Sequence, residues 1–479
     1  MHGVDRASAH WQTLSHHRGG SRGRAARTTP RAEGVAAPPR RGSITAPRLC
    51  SAATEDDVRD DFWCLDPSVE FLNHGSFGAT PRPVLEAQDA LRRRLEREPV
   101  AFFLRDYEAL LDEARAAVAS FVGADSADVV MMTNATAGVS AVVASWPLGP
   151  GDEVLALDHG YPACLNALRA ACARSGAQLR LCQLPCPIDG PEAAQAAVLA
   201  ATTPATRYCL LDAITSPSAM VLPVGPIVAA LRARGVETLV DAAHAPGMIP
   251  QDLNAIGAAW TTANLHKWLC APKGAALLHV RRDKQASLAP RVISHGWSAP
   301  RADRPKLWQA FDWPGTFDPS AWLAVPAALA AVTATDPEGW PQRMAANHAL
   351  ALAMREVLCA VPGARAVAPP SMVGSMAAVL FAEAAFDIPR LERDLASIAA
   401  AQAGVPAAAR PANVTVLQEW LWRRHGVEVP VMVAPAGQGL IVRASAQRYN
   451  RLAQVERLAS ALRAAQVGAA LGDRAGLPS

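Results

Sequence analysis

Leu239-Val240-Asp241-Ala242-Ala243-His244-Ala245-Pro246-Gly247, with Asn264-Leu265-His266-Lys267-Trp268 shortly after it, is the stretch on which the reading of the chain turns. Its first half is a short apolar run that stops at a carboxylate. The small residues and the Pro-Gly pair beyond it mark a turn, so Asp241 sits at the end of a strand. The chain around it alternates in the same manner. Strands are predicted at 128–133, 153–157, 178–184, 207–213, 237–241, 259–263 and 275–280, with helices at 137–146, 161–175 and 224–234. Strands alternating with helices of this length imply an α/β fold whose mostly parallel sheet, of the seven-stranded type, is covered on both faces. Ligands of such sheets bind at the carboxyl ends of the strands. Asp241 and Lys267 both fall at such ends.

A carboxylate and an amine at neighbouring strand tips suit one site. If the ligand is pyridoxal phosphate, the lysine bonds the cofactor and the carboxylate keeps the pyridine nitrogen protonated, so the ring can accept the electrons of a carbanion. Either residue alone reads as a loop lysine or as a strand-end aspartate capping a turn; the pair favours the cofactor. A second stretch, Met132-Thr133-Asn134-Ala135-Thr136-Ala137-Gly138, lies where a strand meets a helix. Its small residues let backbone N–H groups and the Thr136 hydroxyl approach a phosphate at the positive end of the helix dipole. Thr136 or Asn134 can equally be a plain helix cap.

Outward from this centre, helices are predicted at 83–97 and 107–122 before the sheet. After it come a helix at 340–361, a strand at 376–381, helices near 389–403 and 414–425, a strand at 439–445 and a last helix at 448–465. The expected organisation is a tail over 1–55, an N-terminal arm and large domain over 56–335, a smaller α+β domain over 336–470, and a tail over 471–479. Residues 1–50 carry only Asp5 and Glu33 as acids among many Arg, Ser, Gly and Pro, and cannot bury enough apolar surface to offset their ordering entropy. Disorder is expected there, with an organellar transit peptide or a start codon placed too early as open alternatives.

Composition excludes several classes. A net charge of +3, with the basic excess concentrated near the start, leaves no basic face for nucleic acid. No apolar run approaches the roughly 20 residues of a membrane helix. Nine scattered cysteines fit a reducing cytoplasm better than a disulfide framework, and Cys182 and Cys186 lack the second pair that a zinc site needs, so no metal is expected. No G-x-G-x-x-G follows an early strand and no Walker-type loop occurs, which speaks against a dehydrogenase or a nucleotide hydrolase.

HGSFG at 74–78, TNAT at 133–136, DAAHAPG at 241–247, NLHKWLCAPKG at 264–274 and WPGTFDPSAWLAVPAAL at 313–329 occur in this order. Together they resemble the class V aminotransferase superfamily of fold type I pyridoxal-phosphate enzymes, and within it the isopenicillin N epimerase-like branch. The resemblance runs from about residue 62 to 464. It implies that Lys267 carries the cofactor, that Asp241 pairs with the pyridine nitrogen and that His244 lies near the phenolic oxygen. It implies that Ala135, Thr136 and His266 hold the phosphate, and that Tyr161, or His159 under a shifted alignment, stacks on the ring. Thr215 or Ser216 would also touch the cofactor. Gly315 and Thr316 would reach the phosphate from the neighbouring subunit, which makes the enzyme a homodimer. Arg443 would bind the substrate carboxylate through its planar fork, with Asn73 and His74 opening the substrate site or serving merely as turn residues.

An amine freed beside the alpha carbon of an amino-acid-like substrate can act as general base. Reprotonation on the other face gives epimerisation, protonation on the cofactor gives transamination, and loss of a beta substituent gives lyase chemistry. Persulfide-forming desulfuration is disfavoured, since Arg443 is followed by Ala444-Ser445-Ala446-Gln447 with no cysteine; beta elimination of a thiol needs none. A non-catalytic binding protein is the remaining alternative, and it has no use for Lys267, Asp241 and His244 together.

Overall fold

A computed structural model describes residues 62–298, 301–401 and 410–468. The expected tails over 1–55 and 471–479 lie outside the described residues, as do the last residues of the helix expected to run to 403.

The centre is a seven-stranded sheet: β1 (Val129–Met132), β2 (Glu153–Leu157), β3 (Gln178–Cys182), β4 (Thr206–Asp212), β5 (Glu237–Asp241), β6 (Trp260–Asn264) and β7 (Ala276–Val280), in the spatial order β1-β7-β6-β5-β4-β2-β3. Neighbours from β6 through to β3 are parallel, and β7 runs antiparallel to both β1 and β6. The reason is local. A parallel return needs a crossover of a dozen or more residues, usually helical, whereas only the loop 265–275 joins β6 to β7, so the chain turns straight back. That loop carries Lys267. The helix Pro191–Ala201 between β3 and β4 shows no apolar period that announces it, because only Ala194 and Val198 on it are buried.

Side chains alternate across the sheet and divide its core in two. Leu155, Leu157, Cys209, Leu211 and Val240 pack on one face; Val154, Ala156, Leu210 and Leu239 pack on the other, with Cys164, Leu165 and Leu168 of the helix Pro162–Ser175. Asp241, two positions after Leu239, therefore faces Cys164.

A second, antiparallel sheet is built from β8 (Arg365–Ala366), β9 (Met376–Phe381), β10 (Val431–Val433) and β11 (Leu440–Ser445), ordered β10-β11-β9-β8. Ala377, Val379, Phe381, Val442 and Ala444 form a core with the helices Trp340–Cys359 and Leu452–Ala465, while Met376, Ala378, Leu380 and Ile441 join the core of the large sheet. Arg443 lies on the same side of β11 as Ile441, turned toward the large sheet. A two-residue strand, Glu70–Phe71, pairs in parallel with Val427–Glu428 and leads the chain into the short helix His74–Phe77.

Candidate active site

The loop after β6 is held at its backbone. The Lys267 carbonyl accepts from the Cys270 N–H at 3.0 Å and from His74 Nε2 at 3.0 Å, and Cys270 adopts a left-handed φ of 62° that closes the turn. Two glycines allow other segments to lie against it. A Cβ on Gly78, whose φ is +71°, would stand 2.1 Å from the His266 carbonyl oxygen, and one on Gly247, at φ +86°, would stand 2.5 Å from the Trp268 carbonyl. Lys267 is half-buried, and its Nζ lies 3.1 Å from His244 Nε2. Burial, and then the nearby Arg443 guanidinium, push the amine down to about 7, against the opposing pull of Asp241 and Cys164.

Asp241 is buried at the tip of β5. One carboxylate oxygen accepts the Ala243 N–H at 3.0 Å and the other accepts the Cys164 thiol at 3.4 Å. Its neighbour in register is Asp212, the last residue of β4 and equally buried. Burial and then the Asp241 charge raise Asp212 well above the usual carboxylate range, and burial raises Asp241 as well, so the two share a site that favours a single negative charge. Asp212 was legible by the same signal as Asp241, an apolar strand ending in a carboxylate. Cys164 had none, since its partner is distant in sequence. His244 is buried and held neutral by its burial, then by the Lys267 and Arg443 charges; its Nδ1 has no partner among the described residues.

The helix Ala135–Ala144 begins beside β6. Its Ala135 N–H is already donated to Asn264 Oδ1 at 2.8 Å and its Ala137 N–H to the Asn134 cap at 2.8 Å. Ala135 is buried and Thr136 half-buried, while Thr133 and Asn134 of the same turn are exposed. His266 Nδ1 lies 3.1 Å from the Ala275 carbonyl, and burial pushes its ring down to about 4, so it is a neutral donor.

Arg443 is buried. It donates to the Ser216 carbonyl and, at 3.3 Å, to Ser76 Oγ; its Nε has no partner, and no carboxylate pairs with it among the described residues. A buried guanidinium without a counter-ion is costly unless a bound anion completes it. Ser216 meets the arginine through its backbone carbonyl, and its side chain is half-buried. Ser76 was not anticipated. Asn73 donates to Glu428 at 2.8 Å and accepts from Ser76 Oγ at 2.5 Å, so it braces Ser76. His74 does not open onto the site: it is fully buried and both ring nitrogens are taken by protein groups. Thr215 is likewise buried in a chain of contacts, 2.7 Å from Ser218 Oγ, which lies 2.7 Å from His159 Nδ1. His159 is fully buried, with no hydrogen-bond partner at Nε2 among the described residues, and Tyr161 is 46% exposed. Gly315 is half-buried, with φ +118° and no atom within 4 Å of its Cβ position, and Thr316 is exposed.

The model described as aminotransferase class-V matches residues 80–458. The chain belongs to this family. Isopenicillin N epimerase from Streptomyces clavuligerus is 31% identical over 412 residues, covering 83% of this chain and 95% of that one. A putative L-cysteine desulfhydrase from Oryza sativa subsp. japonica is 34% identical over 366 residues, covering 72% and 74%. Among solved structures, the cystine C-S lyase C-DES in complex with cysteine persulfide superposes with a TM-score of 0.67 at 19% identity, covering 83% of this chain and 98% of that one. This class-V protein is a pyridoxal-phosphate-dependent enzyme with the fold type I architecture. Its residues fit the cofactor: an amine lowered by burial, a buried carboxylate at a parallel strand tip, an orphaned His244 Nδ1 and a helix start are a donor and acceptor set of the kind the cofactor requires. No helix among the described residues is long and apolar enough to cross a membrane.

Proposed function

We propose that this class-V enzyme inverts the alpha carbon of an amino-acid-like substrate, in the manner of an isopenicillin N epimerase. The observation that carries the reading is the Lys267 amine, set among His244, Asp241 and Arg443 and lowered to about 7. When bound, pyridoxal phosphate supplies an electron sink for a carbanion. Lys267 would hold it, Asp241 would face its ring nitrogen, His244 its phenolic side, and Thr136 its phosphate, joined by His266 once the phosphate's charge protonates the ring at Nε2. Tyr161 would cover the ring. Arg443 orients the substrate carboxylate, so the alpha hydrogen points at the Lys267 amine, which takes the proton at Nζ, and inversion is completed by a proton delivered from solvent to the opposite face. Ser216 and Ser76 hold the guanidinium in place, with Asn73 behind Ser76.

A homodimer working in the cytoplasm completes the proposal, with Gly315 and Thr316 of one subunit reaching the phosphate of the other. The exposed Val100 and Leu104 support it. They flank Phe103, whose ring stacks edge-on against Trp313 at 5.2 Å, two residues before Gly315, so an apolar surface adjoins that segment. We take 56–335 and 336–470 as its large and small domains.

C–S lysis is the second reading, favoured by the identity with the plant desulfhydrase. Epimerisation is preferred because the epimerase likeness spans 95% of the relative's length rather than 74%. A panel of amino acids incubated with the enzyme in deuterated water decides. Alpha-deuterium incorporation with inversion is the expected result; sulfide, ammonia and keto acid from cysteine would replace it with lysis, and keto acid without ammonia would indicate transamination. Lys267→Ala should abolish the visible cofactor band and cut turnover by about 10³-fold or more.

A further inference from the structure

The motif His74-Gly75-Ser76-Phe77-Gly78 meets the active site with nearly every residue, yet His74 touches neither the cleft nor the Lys267 side chain. Its tautomer is fixed by its partners. The Ala79 backbone N–H, which can only donate, lies 3.2 Å from His74 Nδ1, and the Tyr449 hydroxyl is 2.8 Å from the same nitrogen. Nδ1 is therefore the acceptor, and Nε2 carries the proton that the Lys267 carbonyl, which can only accept, takes at 3.0 Å; the Gln447 side-chain nitrogen, 3.2 Å from the same Nε2, is left to donate to the Cys270 sulfur at 3.7 Å. Burial, with smaller contributions from Lys273 and Arg343, pushes the ring down to about 3, so this neutral form persists through the whole neutral range.

The rest of the motif binds the other half of the site. The Gly75 N–H donates to Ser445 Oγ at 3.0 Å, two residues beyond Arg443 on β11, and a Cβ at Gly75 would lie 2.6 Å from the Met376 sulfur on β9. Ser76 Oγ accepts from Arg443, and Gly78 lies against His266. Tyr449 itself follows β11 closely and packs on Trp63 and Phe71. One short helix thus touches the lysine loop at the peptides of residues 266 and 267, and the arginine strand at residues 443 and 445.

We propose that His74 is a positioning residue for Lys267, acting through the lysine's own peptide carbonyl, and that the helix His74–Phe77 is a bracket fixing the distance between the reactive amine and the carboxylate-binding Arg443. The proposal rests on the reading of Lys267 as the cofactor-bearing residue. A hydrogen bond to the carbonyl leaves the amine's chemistry untouched and restrains where the side chain starts, and displacements of an ångström at such a point cost catalysis heavily. With the restraint removed, Nζ drifts from Arg443 and from its buried surroundings, and as the nitrogen that bonds the cofactor it holds its proton more strongly.

The test uses the intact holoenzyme reconstituted with pyridoxal phosphate. The pH midpoint of the bound cofactor's visible absorption is followed in wild type, His74→Leu, His74→Gln and Tyr449→Phe. His74→Leu, which keeps volume and loses the donor, should move the midpoint upward by about one unit and weaken cofactor binding about tenfold. His74→Gln can place an amide N–H where Nε2 was and should stay within about 0.3 of wild type. Tyr449→Phe, which frees the ring to turn, should move it upward by a smaller amount. A merely structural histidine would lower the melting temperature of the Leu and Gln variants alike and leave every midpoint in place; that outcome overturns the bracket. If His74→Leu does not fold, an unchanged midpoint in Tyr449→Phe overturns it and a raised one supports it. The parent reading fails separately, and the bracket with it, if Lys267→Ala keeps the visible band.

Discussion

Lys267 and Arg443, neither ion-paired with a carboxylate among the described residues, dominate the site at the residue scale. Lys267 is lowered to about 7 by burial and by Arg443, and an amine removes a proton only when neutral. The rate should therefore rise with pH through a midpoint near that value and then level off; a profile still climbing far above neutrality would place the base elsewhere. Arg443 is buried with one nitrogen unpartnered, and its partners are a carbonyl and a hydroxyl. Lysine cannot reproduce the planar fork, so Arg443→Lys should lower kcat/KM by about 10²-fold, chiefly through KM, in steady-state kinetics. Asp212 adds a stability prediction. Its carboxyl is raised in the folded protein, so above the unfolded value folding must suppress its ionisation, and the native state loses stability as pH rises toward the folded value. Asp212→Asn should remove that penalty and raise the melting temperature at neutral pH by roughly 2 °C.

Elements bring these groups together by the way they end. β4 and β5 run parallel and stop together, which sets Asp212 beside Asp241, and β6 runs two residues further before the loop that carries Lys267. Because that loop returns directly into β7 without a helix, it stays at the sheet's carboxyl edge. Its tightness depends on glycines with left-handed backbone. Gly78 combines a φ of +71° with the His266 oxygen 2.1 Å from its Cβ position, so Gly78→Ala should cost about 2–3 kcal/mol in denaturant unfolding and weaken cofactor binding with it. An unchanged unfolding midpoint would mean the loop can move aside. The helix 74–77 is the corresponding link to the second sheet, where β11 turns Arg443 inward on the same side as Ile441.

For the whole molecule, the two sheets share a core through Met376, Ala378, Leu380 and Ile441, and the site lies where they meet. Thr316 is exposed and Gly315 half-buried. Subunit mixing probes the proposed dimer: Lys267→Ala and Thr316→Glu, each inactive alone, should recover about a quarter of wild-type activity after equimolar exchange, because half the dimers would be mixed and each would hold one intact site. No recovery after verified exchange would place Thr316 outside the partner's site.

The strands, their order of appearance and the Asp241–Lys267 pair were legible in the chain, because each rests on a local signal: an apolar run, its period and the residue that ends it. Arg443 was found only through the resemblance, and Asp212 carried the strand-end signature without being singled out. His74 was placed on the substrate side and Ala135 on the phosphate, and both are otherwise engaged. Only the tertiary structure decided these. Which donor meets which acceptor among Tyr449, His74 and the Lys267 carbonyl depends on backbone segments far apart in sequence closing to within 3 Å, and no local pattern encodes that closure.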